Sequence, residues 1–126
     1  MLVEADTNDI TDRIIGCAIE VHSNLGPGLL ESLYETAMSI EMTRVGLSFK
    51  RQAAMPLYYK GELISEHRVD LVVEDAVIVE IKSIERLAPI HISQMLTYLK
   101  VAALRTGLIL NFNSQTMRSG LRRVLR

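Results

Sequence analysis

Residues 9–25 place Ile10, Ile14, Cys17 or Ala18, Val21 and Leu25 on one stripe, the spacing of an amphipathic helix. Asn8 or Asp9 is suited to cap its start, and Gly26-Pro27-Gly28 stops it. A second helix is expected from about Leu29 to Val45, with Leu30, Leu33, Ala37 and Ile40 inward and Gly46 as its stop. The period then changes. Residues 47–59 and 62–74 read as strands joined by a Lys60-Gly61 turn, and Pro56 makes the first of them an edge strand or a bulged one. A two-residue Glu74-Asp75 turn leads to a third strand, AVIVEIK, at 76–82. Pro89 opens a helix that runs to about Leu104 and closes near Gly107. The apolar run at 107–112 suits the interior of a sheet, and the tail from Arg118 to Leu125 reads as a last strand in preference to a short helix. The order α-α-β-β-β-α-β-β describes an α/β fold, a mixed sheet flanked by helices.

Composition narrows the class. A chain of 126 residues fits one domain, and 48% hydrophobic with 23% charged residues excludes a disordered one. The single Cys17 excludes an internal disulfide framework or a Cys-rich zinc site. No apolar run approaches the ~20 residues of a membrane-spanning helix. The start, MLVEADTNDITD, is acidic where a signal peptide is basic and then apolar. The expectation is a cytoplasmic protein with no membrane partner. Four Tyr, two Phe and no Trp make no extended base-stacking platform.

The net charge of −1 argues against a polybasic nucleic-acid binder, but its distribution is uneven. Residues 1–41 hold eight acids and one base, whereas residues 81–126 hold eight bases and only Glu85 as an acid. Either the two ends pair in the fold or simply face water, or the last third offers a basic face to polyanions.

The chemistry concentrates in RVDLVVEDAVIVEIKS, residues 68–83. On a strand, Glu80 and Lys82 share a face with Ile78, while Val79 and Ile81 point the other way. A Glu and a Lys inside so apolar a strand are costly unless paired or bound. With a two-residue turn, residue i lies opposite roughly 149 minus i. Asp70 is then level with Val79 and diagonal to Glu80, close enough for both carboxylates to share a hard divalent cation. Mg²⁺ or Mn²⁺ held so would neutralise a scissile phosphate and acidify a bound water, with the Lys82 ammonium stabilising the pentacovalent phosphate. A plain salt bridge on a sheet surface gives the same residue pattern.

Gly28-Leu29-Leu30-Glu31-Ser32-Leu33-Tyr34 resembles the signature of the GxxExxY proteins, a group within the PD-(D/E)XK nuclease-like superfamily. The resemblance extends from IIGCAIEVHSNLGPGLLESLYE through YYKGELI and VEIKS to QMLTYLK, nearly the whole chain. It implies a single nuclease-like domain over residues 1–126 with a restriction-endonuclease-like core. It further implies a divalent-metal-dependent nuclease hydrolysing phosphodiester bonds, most naturally in DNA. In that resemblance Glu31 is the first-motif acid, Asp70 the second, and Glu80-Ile81-Lys82 the E-x-K motif. Gln94 and Tyr98 resemble a Q-x-x-x-Y helical motif. The implied catalytic set is Glu31, Asp70, Glu80, Lys82 and Gln94. Metal ligands would be Asp70, Glu80, Glu31 and the Ile81 carbonyl. Tyr98, Lys100, Arg118, Arg122 and Arg123 are the expected nucleic-acid contacts, forming a basic rim beside an acidic centre. Val69-Asp70 stands in place of the Pro-Asp of the superfamily's name. The alternative is a catalytically silent nuclease-like module that binds nucleic acid or a protein partner. A homodimer, or a partner supplying specificity, is compatible with so small a domain.

His91, Gln94 and Tyr98 fall at i, i+3 and i+7 on one helical face, apart from the stripe of Ile92, Met95 or Leu96, Leu99 and Ala103. Gln94 can therefore reach a phosphate without leaving the core short of apolar contact. His91, in the first turn, is expected to be a local cap or a surface residue, and Cys17 a small core residue.

Overall fold

The computed structural model describes residues 4–126, so the first three residues of the expected domain lie outside the described part. Helices α1 (Glu4–Leu25) and α2 (Glu31–Arg44) precede strands β1 (Phe49–Tyr59), β2 (Glu62–Val73) and β3 (Val77–Lys82). Then follow α3 (Pro89–Ala102), β4 (Thr106–Asn111), the four-residue helix α4 (Met117–Gly120) and β5 (Leu121–Leu125). The five strands form one mixed sheet in the order β1-β2-β3-β4-β5. Only β3 and β4 are parallel, and α3 is the crossover between them. This is the α/β architecture expected of a restriction-endonuclease-like core.

Alternation along the central strands sorts the core into two layers. Val77, Val79 and Ile81 of β3 pack with Leu108 and Leu110 of β4 against Ile14, Cys17 and Val21 of α1 and Tyr34, Met38 and Met42 of α2. On the other face Ile78, Ile109 and Val124 pack with Met95 and Leu99 of α3. Helix α3 lies so close to β4 that a Cβ at Gly107 would stand 2.5 Å from Met95 Sδ. Only glycine fits there without moving that side chain.

Four expectations change. Helix α1 is already formed at Glu4, the first described residue, so Asn8 and Asp9 lie inside it; Thr11 and Asn8 instead receive the Arg123 guanidinium from β5. In α2 the inward stripe is Tyr34, Met38 and Met42, while Leu30, Leu33 and Ile40 are exposed. Two apolar stripes compete on this helix, and packing against the sheet selects Tyr34, Met38 and Met42. The tail is not one strand: Thr116 caps α4, accepting from the Ser119 N–H at 3.1 Å, and β5 follows. Helix α3 ends at Ala102, and Ala103 is its left-handed cap rather than part of its apolar stripe. Pro56 does what its chemistry requires, on an edge strand just before a register shift at Leu57/Tyr58.

Candidate active site

The β2–β3 connection decides the site. Glu74 and Asp75 both adopt positive φ, the Ala76 N–H donates to the Val73 carbonyl, and Val73 pairs with Val77. The connection is therefore three residues long rather than two. Paired positions sum to 150, as in Leu71↔Val79, so Asp70 falls opposite Glu80 and not Val79. That one-residue correction brings the two carboxylates to the same level across the strands.

At that level the ladder between β2 and β3 ends, while β3 stays paired to β4 as far as Lys82↔Asn111. Side chains take over the missing backbone bonds. The Asp70 N–H donates to Glu80 Oε1 at 2.8 Å, and the Ile81 N–H donates to Asp70 Oδ2 at 2.7 Å. Each carboxylate thus spends one oxygen on the opposite backbone and is locked in place by a charge-assisted bond. Lys82 Nζ stands 4.0 Å from Glu80 Oε2, beyond hydrogen-bonding reach.

Glu80 is buried, and its carboxyl is pushed up to about 7, first by that burial and then by the charge of Asp70. Asp70 is likewise raised by burial, against the lowering effect of its bond from Ile81 N–H. Glu31 adds a like charge to both. A buried Glu80 and a half-buried Asp70 that resist ionising together need either a proton or a cation between them. Hard oxygen donors of this kind fit Mg²⁺ or Mn²⁺, which bind through one or two carboxylates and keep several waters. Among the described residues no three of His, Cys, Asp or Glu form a group able to hold a metal ion, so the convergent donors are a pair of carboxylates.

Glu31 belongs to a second piece of structure, the segment that clasps the end of β3. Gly28 has φ +101°, a conformation other residues avoid, and it turns the chain into α2. Glu31 opens that helix and its carboxylate accepts the Ser83 N–H at 3.0 Å, while Ser83 Oγ donates to the Leu29 carbonyl at 2.7 Å. Tyr34 is fully buried, stacked on Phe112 with ring centroids 4.4 Å apart. Its hydroxyl donates to the Gly26 carbonyl at 2.5 Å and accepts the Leu29 N–H at 3.1 Å. Glycine, glutamate and tyrosine at this spacing therefore fasten one loop to the residue just beyond Lys82.

Two residues at the site escaped the sequence reading. Glu35, buried one turn after Glu31, accepts from Arg51 Nε at 2.9 Å and from Gln52 Nε2 at 2.6 Å. The same Gln52 amide lies 3.3 Å from Asp70 Oδ1. Gln52 has φ +52°, and the β1–β2 pairing skips the Gln52/Asp70 level. A non-glycine residue so placed costs about 1–3 kcal/mol of backbone strain, and such strain gathers at functional sites. The available signals were the i, i+4 spacing of Glu31 and Glu35 and an amide inside a strand.

The remaining expected residues are spread around the site. Gln94 on α3 is exposed. Tyr98 is half-buried, stacks on His67 at 4.7 Å, and lies near enough to Glu80 for that charge to help raise its hydroxyl, after burial. Lys100 lines a cleft of about 790 Å³ between α3 and β1, and Arg122 one of about 540 Å³ at the start of α3. Arg118 is exposed on α4. Arg123 points to the opposite face of the sheet, onto Asn8 and Thr11, so the four bases do not form a single rim. His91 is the local cap expected of it, its Nδ1 accepting the Ala88 N–H at 2.9 Å.

No helix among the described residues is long and apolar enough to cross a membrane. Comparison with curated proteins and with solved structures gave no significant match. A family model described as the PD-(D/E)XK nuclease superfamily matches residues 8–124, a span that contains the clasp, the carboxylate pair and both core layers. On that match the chain belongs to the PD-(D/E)XK nuclease superfamily.

Proposed function

We propose that the protein is a divalent-metal-dependent nuclease that hydrolyses phosphodiester bonds, most naturally in DNA, and that it belongs to the GxxExxY group of its superfamily. The observation that carries the reading is the Asp70–Glu80 pair, crossed by reciprocal backbone hydrogen bonds where the β2–β3 ladder ends, with Lys82 at 4.0 Å. PD-(D/E)XK nucleases generally use divalent metals. A bound Mg²⁺ or Mn²⁺ would offset the negative charge at the scissile phosphate and acidify a water.

The chain's own residues do the rest. Asp70 Oδ1 and Glu80 Oε2, the oxygens not spent on the Ile81 and Asp70 N–H groups, are the proposed carboxylate ligands, with the Ile81 carbonyl beside them. Burial of Glu80 strengthens the charge interactions at its carboxylate, while half-buried Asp70 leaves the site open to water. Lys82, half-buried and held loosely by Glu80, keeps its ammonium for the phosphate or for the attacking water. Glu31 stands outside the carboxylate pair; it fixes the backbone just after Lys82 and adds negative field. Gln94, Tyr98, Lys100, Arg118 and Arg122 are the proposed contacts to the nucleic-acid backbone, with Gln94 also part of the proposed catalytic set. The test is Mg²⁺- or Mn²⁺-dependent cleavage of single-stranded, duplex and branched DNA beside Lys82→Ala and Asp70→Ala. Cleavage by the parent and its loss in both variants is expected; cleavage that persists unchanged in both overturns the reading.

A second reading rests on Glu31, whose carboxylate is already engaged with the Ser83 N–H. On it the domain is a catalytically silent module that binds nucleic acid or a protein partner. Salt-sensitive DNA association without cleavage in any metal is its signature.

A further inference from the structure

We propose that Gln52 is a positioning residue for Asp70, held in its left-handed backbone conformation by Glu35 and Arg68 so that its amide fixes the orientation of that carboxylate. The inference rests on the nuclease reading for its functional meaning, and on geometry alone for the positioning itself. Asp70 Oδ2 is fixed by the Ile81 N–H, which leaves rotation of the carboxylate to be set by whatever meets Oδ1. Gln52 Nε2 is what meets it, at 3.3 Å.

Two contacts hold Gln52 in turn, one of them itself braced by Arg51. Its amide donates to Glu35 Oε1 at 2.6 Å, which fixes the side chain with its nitrogen toward the two carboxylates. Glu35 cannot swing away, because Arg51 holds its other oxygen at 2.9 Å and also reaches Thr36 Oγ1 at 3.2 Å. The Gln52 carbonyl accepts from Arg68 Nη1 at 2.8 Å, a bond that runs across the strand pair from β2. A strand in ordinary pairing would give Gln52 neither the positive φ nor this reach. The skipped level in the β1–β2 register is the structural counterpart of an amide turned toward the site.

A glutamine there also suits the charge. Gln52 stands between Glu35 and Asp70, and a donor that carries no charge of its own links the two acids without neutralising either. A lysine would compete with a cation; a glutamate would add a further acid.

Gln52→Gly and Gln52→Ala separate the amide from the strain. Glycine accepts φ +52° freely and alanine does not, while neither carries the amide. The experiment compares crystal structures, thermal stability and Mn²⁺ calorimetry of both variants with the parent. Positioning predicts that Asp70 changes its rotamer or leaves the Ile81 N–H in both variants, and that Mn²⁺ affinity falls roughly tenfold or more in both. It also predicts that Gln52→Gly is at least as stable as Gln52→Ala. Asp70 unmoved in both variants, or Mn²⁺ affinity unchanged in both while the parent binds the ion, overturns the proposal. If Asp70 moves but the parent itself binds no Mn²⁺, the positioning stands and the nuclease reading falls.

Discussion

The two faces of β3 are built from alternate residues of one six-residue strand and do different work. Val77, Val79 and Ile81 are buried in an unbroken apolar layer between the sheet and helices α1 and α2. On the other face Ile78 is packed under α3, and then Glu80 and Lys82 follow where a core would ask for more carbon. The first face is supported by shape alone. The second is supported by Asp70, which supplies a hydrogen-bond acceptor to Ile81 and a donor to Glu80 where the neighbouring strand diverges. A polar side chain in a buried strand needs a partner, and here the Asp70 N–H answers Glu80 Oε1 while half-buried Lys82 has Glu80 Oε2 at 4.0 Å.

This contrast can be broken from either side. Lys82→Ala is expected to reduce metal-dependent cleavage by about a hundredfold or more, while changing stability by less than about 1 kcal/mol. Single-turnover kinetics beside a urea titration reads both. Next in size is a pH effect on the metal-free protein. Because the Glu80 carboxyl is raised from 4.5 to about 7, the native state holds a proton the unfolded state has released. The Glu80 contribution to stability is therefore fully present below pH about 4.5 and is lost as the pH rises from there through about 7, by on the order of 3 kcal/mol. Urea midpoints at several pH values check this, and Glu80→Gln should flatten the decline.

On the apolar face Val79→Ala should cost about 2 kcal/mol and leave metal binding intact. Tyr34→Phe keeps the ring on Phe112 but removes the bonds to Gly26 and Leu29, a loss of about 1–2 kcal/mol seen as a lower Tm. Smallest is the contrast between two adjacent arginines on β5. Arg122→Ala should reduce the salt dependence of DNA binding by about one unit of slope. Arg123→Ala should leave that slope alone and cost about 1 kcal/mol through its lost bonds to Asn8 and Thr11.

Element order was legible in the sequence because the hydrophobic period changes sharply from helical to alternating at Gly46, and back at Pro89. Strand register was not. Whether Ala76 belongs to the turn or to the strand makes no difference to the pattern, yet it decides which residue faces Glu80. The inward face of α2 was ambiguous for a related reason: Leu30, Leu33 and Ile40 compete with Tyr34, Met38 and Met42, and tertiary packing chooses. At the site, Asp70, Glu80 and Lys82 were visible as charges interrupting an apolar strand. Glu35 and Gln52 were not, since one is an ordinary helical acid by sequence and the other an ordinary polar strand residue. Their role exists only in the fold, where a skipped pairing level and a positive φ bring them to Asp70.

The charge gradient along the chain is not neutralised by its two ends pairing. Arg123 joins β5 to the start of α1 through hydrogen bonds to the neutral Asn8 and Thr11, not through an ion pair. Lys100 and Arg122 line clefts beside α3, the side on which the proposed substrate would lie.

The central claim is that Asp70 and Glu80 form one divalent-cation site. A crystal of the protein grown in Mn²⁺ and measured for anomalous scattering tests it directly. The account predicts a peak in contact with Asp70 Oδ1 and Glu80 Oε2, absent from crystals of Glu80→Gln. No peak between them at saturating Mn²⁺, or a peak that survives Glu80→Gln, would contradict it.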